Sequence, residues 1–363
     1  MKFKKIRLSL NIHSYDIVVG QGVTKDKKFY KKFVTGKEVL IISDANVPKI
    51  KLKQITSSIK DSNPIEINTL ELKLTEKNKD FSSVSRIHNI LIQKKYTRDS
   101  LIICIGGGIL SDVSGFAAAT YLRGINFILM PSTLLSQVDA SVGGKTAINN
   151  KKGKNLIGAF HQPTLVLADI DLLKSLGRKQ ISEGYSEIIK HSLIKDKKLF
   201  YWLEKKFSNQ KNLNNKDLID LIYRSIRIKA DIVEQDEKEV DIRALLNFGH
   251  TFGHAFELLG NYKTYSHGEG VALGIIAALR ISQKYFSIAN EEIEKVSNLL
   301  LKVGLIIKPK QETNFSKLYK AMEMDKKRTK SSLRFVLLQN IGSAVVKENI
   351  SKQSIIKSLK ETF

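Results

Sequence analysis

Hydrophobic periodicity changes character once along this 363-residue chain, near residue 180, and that change limits the fold more than any other feature. Before it, short apolar runs alternate with helix-type patterns. A run at 39–43 is followed by a helical pattern from Phe81 with Val84, Ile87 and Leu91 on one face. A second run at 101–105 precedes a glycine cluster and the helix-like 116–119, and further strand-type runs stand at 127–130 and 165–167. Strands that alternate with helices form a mostly parallel, Rossmann-like α/β sheet. After the change, 181–193, 218–233, 245–259, 271–281 and 293–301 carry apolar residues at three- and four-residue spacing, the signature of an all-α domain. Residues 335–338 and 344–346, on either side of a turn-like Asn340-Ile341-Gly342-Ser343, read as a late hairpin. Two domains are expected, 1–178 and 179–363, each of ordinary domain size. No Pro/Gly/Ser-rich linker parts them, so a tight interface with the active site in its crevice is expected.

The formal net charge of +24 raises nucleic-acid binding as a rival reading. The lysines are scattered through surface-type segments such as 49–60 and 195–211, without the aromatic-interleaved basic patch of a single-strand binder. A solvated basic surface that attracts small anions fits better, with no nucleic-acid partner. No apolar run approaches the roughly 20 residues of a membrane span, so no membrane partner is expected. The first eleven residues alternate apolar and polar types like a first strand and lack the apolar core of a signal peptide. The single cysteine, Cys104, lies inside an apolar run, which excludes a disulfide scaffold and points to the cytoplasm.

Gly106, Gly107 and Gly108 follow a strand-type run and precede a helical pattern, a geometry in which backbone N–H groups hold a pyrophosphate. Three glycines after a strand are also what a bare tight turn needs, and the GxGxxG fingerprint is absent. Polar residues then crowd into otherwise small and aliphatic segments: Asp112, Arg123, Asp139, Lys145, Lys154 and Asn155. Gly143-Gly144-Lys145-Thr146 resembles the end of a P-loop, but the full motif needs glycine where Asp139 stands, which argues against a nucleoside triphosphate.

In the helical half, His250 and His254 are four residues apart on one face of a helix, a metal-ligand spacing. His267 and the carboxylates around Glu187 offer further N and O ligands. Any one of these histidines, taken alone, reads as a group bonded to a carbonyl. Three of the seven histidines in one cluster do not, whereas His13 and His88 keep the structural reading.

Together these strings resemble the 3-dehydroquinate synthase family from roughly residue 40 to 348: GGGILSD at 106–112, GFAAATYLRG at 115–124, PSTLLSQVDASVGGKTAIN at 131–149, GKNLIGAFHQP at 153–163, SEIIKH at 186–191, LNFGHTFGHAFE at 246–257, HGEGVALG at 267–274 and MDKK at 324–327. The resemblance implies an enzyme that converts 3-deoxy-arabino-heptulosonate 7-phosphate to 3-dehydroquinate and phosphate. The C5 hydroxyl is oxidised by NAD, phosphate is eliminated, the ketone is reduced again, and an aldol step closes the carbocycle. It implies a divalent metal, zinc or alternatively cobalt, on Glu187, His250 and His267, with His254 a proton-relay partner rather than a ligand. Anion binding would fall to Lys145, Asn155, Arg123, Lys229, Arg243, Asn247 and one of Lys326 or Lys327, with Asp139 and Lys190 orienting hydroxyls.

By the same resemblance, NAD would be bound by Gly106, Gly107, Gly108, Ile109, Leu110, Ser111 and Asp112, with Asp44 and Asn46 on the adenosine half. Glu76 and Lys79 would lie nearby, and Ser132, Thr133, Lys145, Lys154, Leu172, Leu173, Lys174 and Ser175 further along. A homodimer is implied, with Arg123 reaching across it. Two departures stand out: the family commonly has glycine at Ser111, and a Gly-Glu pair with a later aromatic where this chain has Thr75-Glu76-Lys77-Asn78-Lys79. Other sugar-phosphate cyclases and metal-dependent alcohol or glycerol dehydrogenases are the competing enzymes. Lys145, Asn155, Arg243 and Asn247 argue against a simple polyol substrate.

Overall fold

The computed structural model describes residues 3–11, 13–208, 213–326 and 333–363. Contacts group the chain into two compact units, Met1–Gly177 with Asn214–Glu237, and Arg178–Leu213 with Lys238–Phe363.

The first unit is built on a seven-stranded sheet. Its strands are β1 (Phe3–Leu8), β2 (Tyr15–Gly20), β3 (Glu38–Asp44), β4 (Glu66–Leu72), β5 (Leu101–Gly106), β6 (Asn126–Pro131) and β9 (Leu165–Asp169), in the order β1-β2-β9-β6-β5-β3-β4. Only the β1–β2 pair is antiparallel. Central β5 is buried along its whole length, as a strand covered on both faces must be, which is why it reads as a continuous apolar run. Burying each such Leu or Ile stabilises the unit by about 1.5–3 kcal/mol. Helices α1 (Lys31–Val34), α2 (Lys49–Lys60), α3 (Phe81–Gln93) and α4 (Gly108–Thr120) make the crossovers, and β7 (Lys145–Asn150) and β8 (Gly153–Phe160) form a separate antiparallel hairpin.

The chain then enters α5 (Arg178–Lys195) and α6 (Lys197–Ser208) of the second unit and returns to the first in α7 (Asn215–Gln235). That return departs from the expectation that every helix after 179 belongs to the helical half. Helix α7 packs on β1 and β2, where Asp220 pairs with Lys4 and Glu234 accepts a hydrogen bond from the Ser9 amide at 2.7 Å. Its apolar stripe dictated a helix, but the partner of that stripe is set by tertiary packing.

The second unit continues with α8 (His250–Leu259), α9 (His267–Phe286), α10 (Asn290–Lys302), α11 (Phe315–Lys326), the hairpin β10 (Phe335–Asn340) and β11 (Ser343–Lys347), and α12 (Lys352–Thr362). The expected helix over 245–259 is two elements. Residues Ile242–Asn247 form a 3-10 turn, and Gly249, in the left-handed region at φ 80°, separates it from α8. Among the described residues no helix is long and apolar enough to cross a membrane.

Candidate functional site

Four glycines place the two key histidines. Helices α8 and α9 cross backbone on backbone: a Cβ on Gly274 would lie 1.8 Å from the Gly249 carbonyl oxygen, and one on Gly253 would lie 2.8 Å from that of Gly270. Any larger residue would force the helices apart. His250 and His267 are the first residues of these helices, and their ring centroids stand 5.4 Å apart. Helix α5 adds Glu187, which is wholly buried.

The Glu187 Oε1 atom lies 3.1 Å from His267 Nε2 and 3.5 Å from His250 Nε2. One ligand atom from each of the three residues falls within 4.8 Å of the others. Behind them, His267 Nδ1 is 3.2 Å from Glu257 Oε1, and His250 Nδ1 is 3.3 Å from the Phe248 carbonyl. An acceptor behind each ring holds the proton on Nδ1 and turns the Nε2 lone pair toward Glu187, the usual second layer of a metal site. Three converging N and O donors of this kind fit a divalent ion with a position left open. His254 stacks edge-on against His250 at 5.4 Å on the same helix face.

The charges of the site are strongly perturbed. Burial works against ionising Glu187, but Lys190, one turn along α5 and ion-paired to it, and the two histidines hold its carboxyl well below the usual range. Burial and the Lys190 ammonium push His250 down to about 3. His267 is pushed up to about 10: burial opposes this, but Glu187 and Glu257 flank the ring with carboxylates. Without metal, His267 therefore carries a proton at neutral pH and His250 does not. Each bound ion must displace about one proton, so metal affinity is expected to fall about tenfold per pH unit as pH is lowered from about 9 to about 6. Calorimetry in buffers of different ionisation enthalpy counts that proton, and zero release at neutral pH would contradict the arrangement.

The first unit carries the other expected residues. Gly107 caps α4, and a Cβ there would meet the Thr133 methyl at 3.3 Å, so the turn after β5 packs closely against Thr133. Ser132 donates its amide to the Gly106 carbonyl at 2.9 Å, which brings the end of β6 beside that turn. Asp44 Oδ1 accepts both N–H groups of Asn46, at 2.8 and 2.9 Å. Glu76 pairs with Lys154 at 3.2 Å. Burial lifts the Asp112 carboxyl to about 6 despite its ion pair with Lys79. Lys229, on α7, donates to both the side chain and the carbonyl of Asp139, at 2.7 and 2.6 Å. Leu110, Leu172 and Leu173 are buried. Ile109 and Ser111 lie in the first turns of α4, Lys174 pairs with Asp171 within the 3-10 turn Ile170–Ser175, and Ser175 ends that turn.

Lys145 begins β7 and is exposed, and Arg123 is exposed in a left-handed conformation at φ 69°. Arg243 is buried at 1% exposure, so it does not stand on a solvated face. Asn247 donates to Glu239 at 3.0 Å. Lys327 lies outside the described residues, and of Lys326 only the helical backbone is described. Sequence reasoning gave Glu257 no role, although it is buried three residues after His254; the signal was a carboxylate on an otherwise apolar helix face.

Known proteins resemble this chain along nearly its whole length. Family models described as 3-dehydroquinate synthase N-terminal and C-terminal match residues 69–183 and 184–328. The 3-dehydroquinate synthase of Prochlorococcus marinus is 40% identical over 99% of this chain and 98% of its own. That of Shewanella sp. is 38% identical over 97% and 98%. Among solved structures, 2-deoxy-scyllo-inosose synthase, crystallised with carbaglucose-6-phosphate, NAD+ and Co2+, superposes with a TM-score of 0.88 at 24% identity, covering 99% of this chain and 100% of that one. The 2-epi-5-epi-valiolone synthase of Streptomyces hygroscopicus, with NAD+ and Zn2+ bound, gives 0.88 at 23% identity over 98% of each chain. The fold is that of the sugar-phosphate cyclases. Within that class, the two family models and the near full-length identity show that the chain belongs to the 3-dehydroquinate synthase family.

Proposed function

We propose that the chain performs its family's reaction, from heptulosonate 7-phosphate to 3-dehydroquinate and inorganic phosphate, with the residues placed above. The observation that carries this reading is the convergence of Glu187, His250 and His267, with Glu257 fixing the orientation of His267. A divalent ion, zinc or cobalt, would be held there and would polarise substrate hydroxyls. Residues 106–112, 132 and 133 would hold NAD, and the chemistry it would supply there is reversible hydride exchange with C5.

The chain's own groups do the remaining work. The substrate carries a phosphate dianion and a carboxylate, so Lys145, Asn155, Arg123, Lys229, Arg243, Asn247 and one of Lys326 or Lys327 serve as donors of charge-assisted hydrogen bonds. Asp139 and Lys190 orient hydroxyls, and His254 holds a proton near the phosphate. Oxidation at C5 acidifies the C6 proton, which the departing phosphate can accept, so the protein's contribution is largely positioning. We infer a cytoplasmic homodimer to which Arg123 contributes across the interface.

Because NAD is regenerated, a trace of it should support many turnovers. With the heptulosonate phosphate, zinc and NAD at a hundredth of the substrate concentration, phosphate and dehydroquinate should appear in equal amounts to completion. Reduced cofactor accumulating in proportion to phosphate would indicate a dehydrogenase instead.

A further inference from the structure

Lys79 is a buried ammonium, 3% exposed, whose two acceptors belong to different halves of the proposed chemistry. One is Asp112, on α4 beside the glycine turn, and the other is the side-chain oxygen of Asn155, on β8. The surrounding backbone is tied down as well. The Asn149 amide donates to the Lys79 carbonyl at 2.6 Å, and the Asn149 side chain donates to the Glu76 carbonyl at 2.9 Å. The Asn155 amide in turn donates to Asn149 Oδ1 at 2.9 Å, holding Asn155 in the left-handed region at φ 53°.

A side-chain amide has one acceptor end and one donor end, and an ammonium can engage only the acceptor. We propose that Lys79, anchored by Asp112, is a positioning residue that fixes the amide of Asn155 with its oxygen inward, so that the Nδ2 hydrogens are the end presented to an anionic substrate. Without Lys79 the amide is free to flip and turn a lone pair toward the anion, which repels it. Lys79 then acts on substrate through Asn155, besides any contact with the nucleotide. The inference rests on the reading of Asn155 as an anion ligand.

The test is a double-mutant cycle of Lys79→Met and Asn155→Ala, made on the full chain loaded with zinc and saturating NAD. Affinity for a 5-deoxy phosphonate analogue of the heptulosonate phosphate, which can neither be oxidised nor lose phosphate, is measured by calorimetry, beside KM and kcat for the substrate. Lys79→Met should fold, because burial already raises Asp112 to about 6 and the carboxyl left behind takes a proton instead of remaining a bare charge. Each single variant should weaken the analogue roughly 10- to 100-fold, mostly in KM, and the double variant no more than Asn155→Ala alone. Lys79→Arg, which keeps a cationic donor, should recover most of the loss. Losses that multiply in the double variant, or a Lys79→Met that impairs NAD affinity but spares the analogue, would overturn the proposal. An analogue that fails to bind even the unsubstituted chain would instead overturn the substrate reading on which it rests.

Discussion

Replacing His267 by alanine is expected to remove tight divalent-metal binding and reduce turnover by at least about a thousandfold. The ring supplies one of three ligands and the only one braced by a carboxylate, Glu257 at 3.2 Å. Two ligands cannot hold a catalytic ion with an open position against solvent. The loss should not come from unfolding, because His267 opens α9 and is only half-buried, while the Glu269 carboxylate that accepts from the Ser266 amide at 2.9 Å remains. Metal content after dialysis, measured with the phosphate-release rate, checks the expectation. A variant that kept one tightly bound ion and normal turnover would show that the ligands lie elsewhere.

Lys190→Met is expected to destabilise the metal-free helical unit by about 3–5 kcal/mol, and by much less once zinc is present. Lys190 and Glu187 form an ion pair with both side chains almost wholly buried, and deleting one partner leaves a charge in a low-dielectric interior. A dication at the same carboxylate would substitute for the lost ammonium. Because the Glu187 carboxyl is held below its ordinary value, the contribution at stake is present at neutral pH and disappears as pH falls through the acid range. The chain's single tryptophan, Trp202, lies on α6 and reports the unfolding of this unit alone. Urea titrations with zinc and with chelator should give two different losses; equal losses would mean that the pair serves packing and not the ion.

Much of the architecture was legible because its signals are local. Strand β5 is apolar throughout since both its faces are covered, and the spacing of His250 and His254 needs nothing beyond one helix. Legibility ended where distant segments meet. Glu257 braces His267 only because α8 and α9 cross, and no periodicity records a crossing. The β7–β8 hairpin was read as a run of polar residues, since β8 is largely exposed and carries Lys154 and Asn155 within it. Helix α7 was recognisable as amphipathic, yet its stripe faces β1 and β2 of the first unit and not the helices that precede and follow it in sequence. The break at Gly249 was hidden inside an unbroken apolar pattern, because a left-handed backbone is invisible to hydropathy.

The glycine crossing of α8 and α9 has a consequence for how such a chain can change over generations. Backbone rests on backbone there, so no side chain can yield to adjust the gap between His250 and His267. A methyl group at Gly253 or Gly274 would act as a wedge, spreading the imidazoles with every ligand residue unchanged in the sequence. Preference among ions of different radius can therefore drift through positions that never touch the ion, and a survey confined to the ligands would miss the cause.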